Sequence, residues 1–381
     1  MSSPTGRPLW LMVVPWALHH AGGVNTVVRE LAPALESQGF DVLVWVDSTR
    51  TDPAPAGMTL PDHVTQALPG WDAGQSRLRA VAGLALRLVG GLRQLRSVIG
   101  SRPLAVVNLH YPAGNLAFFA ALRRLGLLRA RLLVSLHGAD LRRFEQATGW
   151  RRRLQRWLLA QADAVVTVSA AHRHECQAIL PGLNADVIHN GVTAPPSAPP
   201  ETPRAPIFLA VGTFEHKKGL DIVVDAYARI AHLLPDWRLV LCGRKGEALE
   251  MLRARVHALH LDARVDLNCD LTPAQVRGHY HAASIFVHAP RIEPFGLVLL
   301  EAALHGLPLV VARVGGINEI VDDDALGLRV PPEDAPALAE AMLRLAQDAG
   351  LRQRLARHAQ TTLAGRFSWQ RCAQHYARLG R

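Results

Sequence analysis

Through Pro200 the sequence contains no lysine, and all the basic charge of that half rests on 20 arginines set against 12 acidic residues. That half therefore carries +8 of the chain's +10. Cysteine is nearly as scarce. Cys176, Cys242, Cys269 and Cys372 stand far apart and form no CxxC pair, which argues against a zinc site or a disulfide framework and for reduced, mostly buried thiols. No stretch reads as a membrane span, since the uncharged run 103–122 is interrupted by Asn108, His110, Pro112, Gly114 and Asn115. The first twenty residues, with Pro4, Pro8, Pro15 and one arginine, make a poor signal peptide. A cytoplasmic protein is expected. No short repeat is visible.

What is present is a globular composition, 49% hydrophobic over 381 residues, enough for two domains with separate cores. The excess arginine concentrates with Leu and Trp in residues 77–96, 122–133 and 142–159. Such segments suit solvated helix faces, a surface lying on anionic lipid, or a nucleic-acid patch. Isolated aromatic stacking platforms are scarce, which counts against nucleic acid.

Strand-like runs alternate with helical patterns from LWLMVV onward, through LAVVNL, RLLVSLHG, ADAVVTVS and ADVIHNG. This is the pattern of a doubly wound α/β domain. A proline-rich break follows, and the alternation restarts at IFLAVGTF and runs to PLVVAR. The expected division is a first domain over 1–192, a linker over 193–205, a second domain over 206–365, and a helix over 366–381 returning to the first domain. Both domains are expected to be α/β with mostly parallel sheets, and ligands of such sheets bind at the carboxyl ends of the strands.

Several short motifs have residue types fit for chemistry. Gly22 and Gly23 in AGGV follow the first strand and let backbone approach a phosphate at a helix N-terminus, or form an ordinary tight turn. His137 and Asp140 in HGAD follow a buried-looking strand, where a histidine is a satisfied core residue unless something binds it. Lys218 in KKGLD is a flexible point charge suited to a leaving diphosphate. In RIEPFGLVLLEAAL two glutamates enter an apolar stretch. A helix starting near Gly296 places Leu297, Val298, Leu300, Glu301 and Leu304 on one arc, with Glu301 inside the buried stripe. Glu293 precedes a helix terminus whose free N–H groups attract anions. A hydroxylated anionic ligand accounts for both, and so does a capping Glu with a structural salt bridge. The run Asp322, Asp323, Asp324 reads as a metal site or a solvated turn, and the turn is preferred because it follows an apparent helix end.

AGGV, HGAD, HNGV, KKGLD, EPFGLVLLE and GGINE occur in this order across nearly the whole chain. In that sequence of motifs the chain resembles the retaining glycosyltransferases of family 4. The resemblance implies a GT-B fold, two facing Rossmann-like domains with a cleft between them. It implies a nucleotide-diphosphate sugar as donor substrate, no cofactor and no metal. Donor-side residues are then Gly22, Gly23, Thr213, Lys218, Phe295, Gly296, Leu297 and Glu301, with His137, Lys218 and Glu293 catalytic. Glu293 would hold hydroxyls of the donor sugar, and Glu301 the nucleotide ribose. The family usually has Arg where this chain has Thr213, and Lys217, Arg244 or Arg291 would compensate.

The acceptor, a saccharide or lipid-linked saccharide, would meet Asn108, His110, Tyr111 and Asp140 on the first domain. Synthesis of cell-surface polysaccharide or glycolipid at the inner membrane face is the corresponding role, with peripheral contact to anionic lipid and no nucleic-acid partner. Sugar phosphorylases and nucleotide-sugar epimerases share the fold, but no pyridoxal-binding lysine motif is identifiable. A basic nucleic-acid-binding protein is the rival from another class.

Overall fold

In the computed structural model, residues 6–19, 22–48, 60–68, 77–112, 114–193 and 204–381 are described, without the side chains of 77–87 and Arg143. Most of the expected linker, 194–203, lies outside them, as does Ala21 of the first glycine motif. The chain divides into two compact units. One comprises Met1–Gly191 together with Trp369–Arg381, the other Val192–Ser368.

The first unit is built on seven strands, β1 (Leu9–Val14), β2 (Asp41–Val46), β3 (His63–Thr65), β4 (Leu104–His110), β5 (Arg131–Leu136), β6 (Ala164–Thr167) and β7 (Asp186–Val187). Their order is β3-β2-β1-β4-β5-β6-β7 and every pair is parallel. All six residues of β1 are buried, because helices cover both faces of a parallel sheet and its central strands read as continuous apolar runs. The helix Trp369–Gly380 belongs to this unit. It buries Trp369, Cys372, Ala373, Tyr376 and Ala377, one stripe at helical spacing, and sets Tyr376 edge-on to Trp10 at 6.3 Å.

The second unit has six strands, β8 (Ile207–Val211), β9 (Arg238–Gly243), β10 (Val265–Cys269), β11 (Ile285–His288), β12 (Leu309–Ala312) and β13 (Leu328–Val330). Their order is β10-β9-β8-β11-β12-β13, again all parallel. Both sheets thus reverse direction beside their first strand, between β1 and β4 and between β8 and β11. At such switch points the loops diverge to opposite faces and leave a crevice at the carboxyl ends of the strands. Among the described residues no helix is long and apolar enough to cross a membrane. The three-residue strands β3 and β13 have too few residues to show alternation and are not apparent from sequence.

Candidate active site

The motif residues of the second unit gather at the ends of β8 and β11. Gly219 sits at φ 60°, and a Cβ there would lie 2.0 Å from the Ala289 carbonyl oxygen. Only glycine allows the turn His216–Lys218 to lie this close to the end of β11. The Lys217 carbonyl accepts from the Arg291 backbone N–H at 2.8 Å, and the Arg291 guanidinium grips Asp221 with two bonds of 2.7 and 2.8 Å. These ties hold Lys218 over Glu293. The Lys218 Nζ is 2.6 Å from Glu293 Oε2, and His288, the last residue of β11, contacts the same oxygen through Nε2 at 3.2 Å.

Glu293 is only 8% exposed. Burial alone would raise its carboxyl, but the Lys218 ammonium and the His288 bond outweigh burial and hold it well below the usual carboxylate range. Burial pushes the His288 imidazole down despite its acidic neighbour, so it stays neutral and donates Nε2–H to Glu293. Lys218 and His288 thus pair Oε2 of this carboxylate within the chain, the structural salt bridge that the sequence allowed beside a ligand. His288 was not singled out in the sequence. Its signal is a polar residue closing a buried strand five positions before Glu293.

The helix Leu297–Leu304 starts at Gly296 with no side-chain cap. Leu297, Val298 and Glu301 do share an arc, but it is the half-exposed one, while Leu299, Leu300, Ala302, Ala303 and Leu304 are buried. Glu301 is therefore not inside the buried stripe. Its Oε2 accepts from the Tyr280 hydroxyl at 3.0 Å, and burial beside that carboxylate keeps the phenol protonated. Phe295 is buried edge-on to Phe367, leaving backbone rather than ring at the helix entrance. The GGINE turn packs onto this segment so closely that a Cβ on Gly316 would meet the Pro294 carbonyl oxygen at 2.3 Å, and the Gly316 N–H donates to the Glu293 carbonyl at 3.0 Å.

Thr213 is half-buried beside β8. Of the cations expected to compensate for it, Arg291 is engaged with Asp221 and Glu333, and Lys217 with Glu215 at 2.5 Å. Arg244 is exposed and its carbonyl accepts from the Phe214 N–H at 2.9 Å. Asp322 pairs with Arg366 and Asp324 with Arg329, while Asp323 bonds the Ala325 N–H. These three carboxylates are partners in a surface turn. No group of three or more His, Cys, Asp or Glu among the described residues is arranged to hold a metal ion.

In the first unit, Gly22 and Gly23 open the helix Gly23–Glu36, and a Cβ on Gly22 would meet nothing within 4 Å among the described residues. At the carboxyl ends of β4 and β5 the expected acceptor residues separate by burial. Asn108, His110 and Asp140 are each 0% exposed, so they line no open surface, a correction to their expected contact with acceptor. Asp140 turns its two oxygens onto the backbone N–H groups of His137 and Gly138 at 2.9 and 2.8 Å and shapes the turn. Burial pushes its carboxyl up to about 6. His110 Nδ1 lies 3.1 Å from His137 Nε2. His137 is partly exposed, and Tyr111, at φ 59°, packs against Trp16 with ring centroids 4.7 Å apart and the planes tilted by 60°.

Two parallel, doubly wound units with polar clusters at their strand ends define the class, a GT-B glycosyltransferase fold. A profile for glycosyl transferases group 1 matches residues 196–362, and one for glycosyltransferase family 4 matches residues 21–194. The chain belongs to this family and is a glycosyltransferase. Glycogen synthase of Mycobacterium tuberculosis is 29% identical over 398 residues, covering 94% of this chain and 90% of that one. A D-inositol 3-phosphate glycosyltransferase of Saccharomonospora viridis is 27% identical, covering 92% and 87%. Among solved structures, sucrose-phosphate synthase of Thermosynechococcus elongatus superposes with a TM-score of 0.77 at 22% identity, covering 98% of each chain. Anabaena HepE in complex with UDP and glucose gives 0.75 at 19% identity, covering 97% of this chain and 98% of that one.

Proposed function

We propose that the protein transfers a hexosyl group from a nucleoside-diphosphate sugar to a saccharide acceptor, lipid-linked, with retention of configuration and without a metal. The observation that carries this reading is Lys218 and Glu293 held 2.6 Å apart at the switch point of the second sheet, followed within the same motif by the uncapped N-terminus of Leu297–Leu304. A cation and free backbone N–H groups suit the diphosphate, and a carboxylate suits sugar hydroxyls. Glu301 on the half-exposed arc suits the ribose diol. The names of the relatives and the UDP and glucose held by the HepE neighbour support this donor class.

In the reaction, the bond from the anomeric carbon to the phosphate oxygen breaks, and its electron pair leaves on the diphosphate. The acceptor hydroxyl oxygen bonds to the same face of that carbon, and its proton passes to the departing phosphate. Lys218 and the helix terminus at Gly296 stabilise the charge that develops there, the role a divalent cation takes in other transferases. In the first unit, the partly exposed His137 and Tyr111 are our candidates for contact with sugar. The exposed Arg151, Arg152, Arg153 and Arg156 beside Trp157 support peripheral contact with an anionic membrane face, where cell-surface polysaccharide or glycolipid would be made.

The test is a thermal-shift panel of UDP, GDP and ADP sugars followed by transfer assays with and without EDTA. One nucleotide series should raise the melting temperature by mass action, and turnover should survive chelation. No stabilisation by any sugar nucleotide would remove the donor assignment, and activity restored only by magnesium or manganese would remove the metal-free mechanism.

A further inference from the structure

Five polar side chains stand in single file through the first unit. Tyr376 Oη is 3.0 Å from Ser135 Oγ, which is 2.9 Å from Asn108 Oδ1. Asn108 Nδ2 is 3.0 Å from His110 Nε2, and His110 Nδ1 is 3.1 Å from His137 Nε2. Tyr376, Ser135, Asn108 and His110 are all buried, and only His137 reaches the surface. Hydrogen bonds along such a file run in one of two directions, because a hydroxyl, an amide and two imidazoles can each be reversed. Reversing any one member reverses all the others.

The buried end decides the direction. Tyr376 has one proton, and among the described residues its hydroxyl has one partner, Ser135 Oγ. Running the file the other way would make Ser135 the donor and leave the phenolic proton buried without an acceptor, which a buried polar group tolerates poorly. With Tyr376 donating, Ser135 must donate to Asn108 Oδ1. The Asn108 amide then donates to His110 Nε2, and His110 Nδ1–H donates to His137 Nε2. We propose that Tyr376 is a positioning residue that acts through Ser135, Asn108 and His110 to fix His137 as its Nδ1–H tautomer, which offers bound substrate a neutral hydrogen-bond donor. Resting on the glycosyl-transfer reading, the group it meets is an oxygen of the sugar or its phosphate. Asn108 and His110, expected to touch acceptor, serve instead behind His137.

The experiment is nitrogen-15 NMR of the whole chain labelled at histidine, with the His137 signals assigned by their loss in His137→Gln. In the parent, His137 should show a protonated Nδ1 and a bare Nε2. Tyr376→Phe removes the deciding proton and keeps the ring, so His137 should become a mixture of tautomers or invert. Ser135→Ala, which cuts the file in the middle, should do the same and serves if the first variant folds poorly. A parent His137 protonated at Nε2, or a tautomer unchanged in both variants, overturns the proposal. Titration with the sugar nucleotide that stabilises the protein reads the other premise separately. A His137 that is correctly tautomeric but unmoved by that ligand counts against its place in the donor site and leaves the relay standing.

Discussion

Glu293 and Glu301 sit eight positions apart but in different electrostatic settings, and their substitutions should fail differently. Glu293 is bound by Lys218 and His288, whereas Glu301 has a half-exposed position and a bond from Tyr280. Glu301→Ala should weaken binding of the free nucleoside diphosphate by about 1–3 kcal/mol, the loss of a charged hydrogen-bond partner. Glu293→Gln should mainly lower turnover, because the nucleotide does not depend on it. Calorimetric titration of the two folded variants checks both, and an unchanged nucleotide affinity in Glu301→Ala would sink the ribose assignment. Both glutamates were visible in the sequence as charges in an apolar stretch. Lys218 was singled out as well, but its pairing with Glu293 was not legible, nor was that of Tyr280 with Glu301, because these residues approach from other elements.

At the scale of elements, parallel strands are the most legible part of the fold. Apolar runs bounded by glycine and polar turns mark β1, β4, β5, β8 and β9 directly. The helix Leu297–Leu304 was legible as a helix but its buried side was not, because apolar residues surround it almost completely and give no clear face. The elements of the first unit also carry a pH dependence. Burial pushes His110 down to about 3 and His172 down to about 4. Below about 6.5, the unfolded chain protonates both while the folded chain leaves them neutral, so stability falls as pH falls. Each costs about 2 kcal/mol at pH 5 by this linkage. Asp140, raised to about 6, works the other way and restores about 1 kcal/mol over the same window. Urea unfolding at pH 7 and pH 5 should therefore show a net loss of stability at the lower pH. His172→Gln should remove much of that difference, and an equal loss in this variant would show that His172 does not contribute.

For the whole molecule, the arginine excess of the first half is partly structural. Arg152 and Arg156 donate to the carbonyls of Ile179 and Pro181 at 2.7 and 2.8 Å, contacts that the composition gave no sign of. Arg151 and Arg153 are exposed on the same helix, Gly149–Leu159, as is Trp157. Near an anionic leaflet each free cation is worth on the order of 1 kcal/mol and the attraction is screened by salt. Co-sedimentation with phosphatidylglycerol liposomes at low salt, weakening sharply as salt is added, is the expected behaviour. Arg151→Gln with Arg153→Gln spares the two carbonyl contacts and should release the protein. A double variant that sediments like its parent would favour a soluble acceptor.

The first unit takes its last helix, Trp369–Gly380, from beyond the whole of the second. On the ribosome this imposes an order in time. Val192–Ser368 is one continuous segment and its partners all emerge together, whereas Trp10 waits for Tyr376 until the intervening stretch has been made. At about 5–20 residues per second, the nascent first unit spends on the order of ten to forty seconds with the apolar stripe that receives this helix uncovered. The half synthesised first is thus the half completed last, and it is the one for which a chaperone would have something to hold.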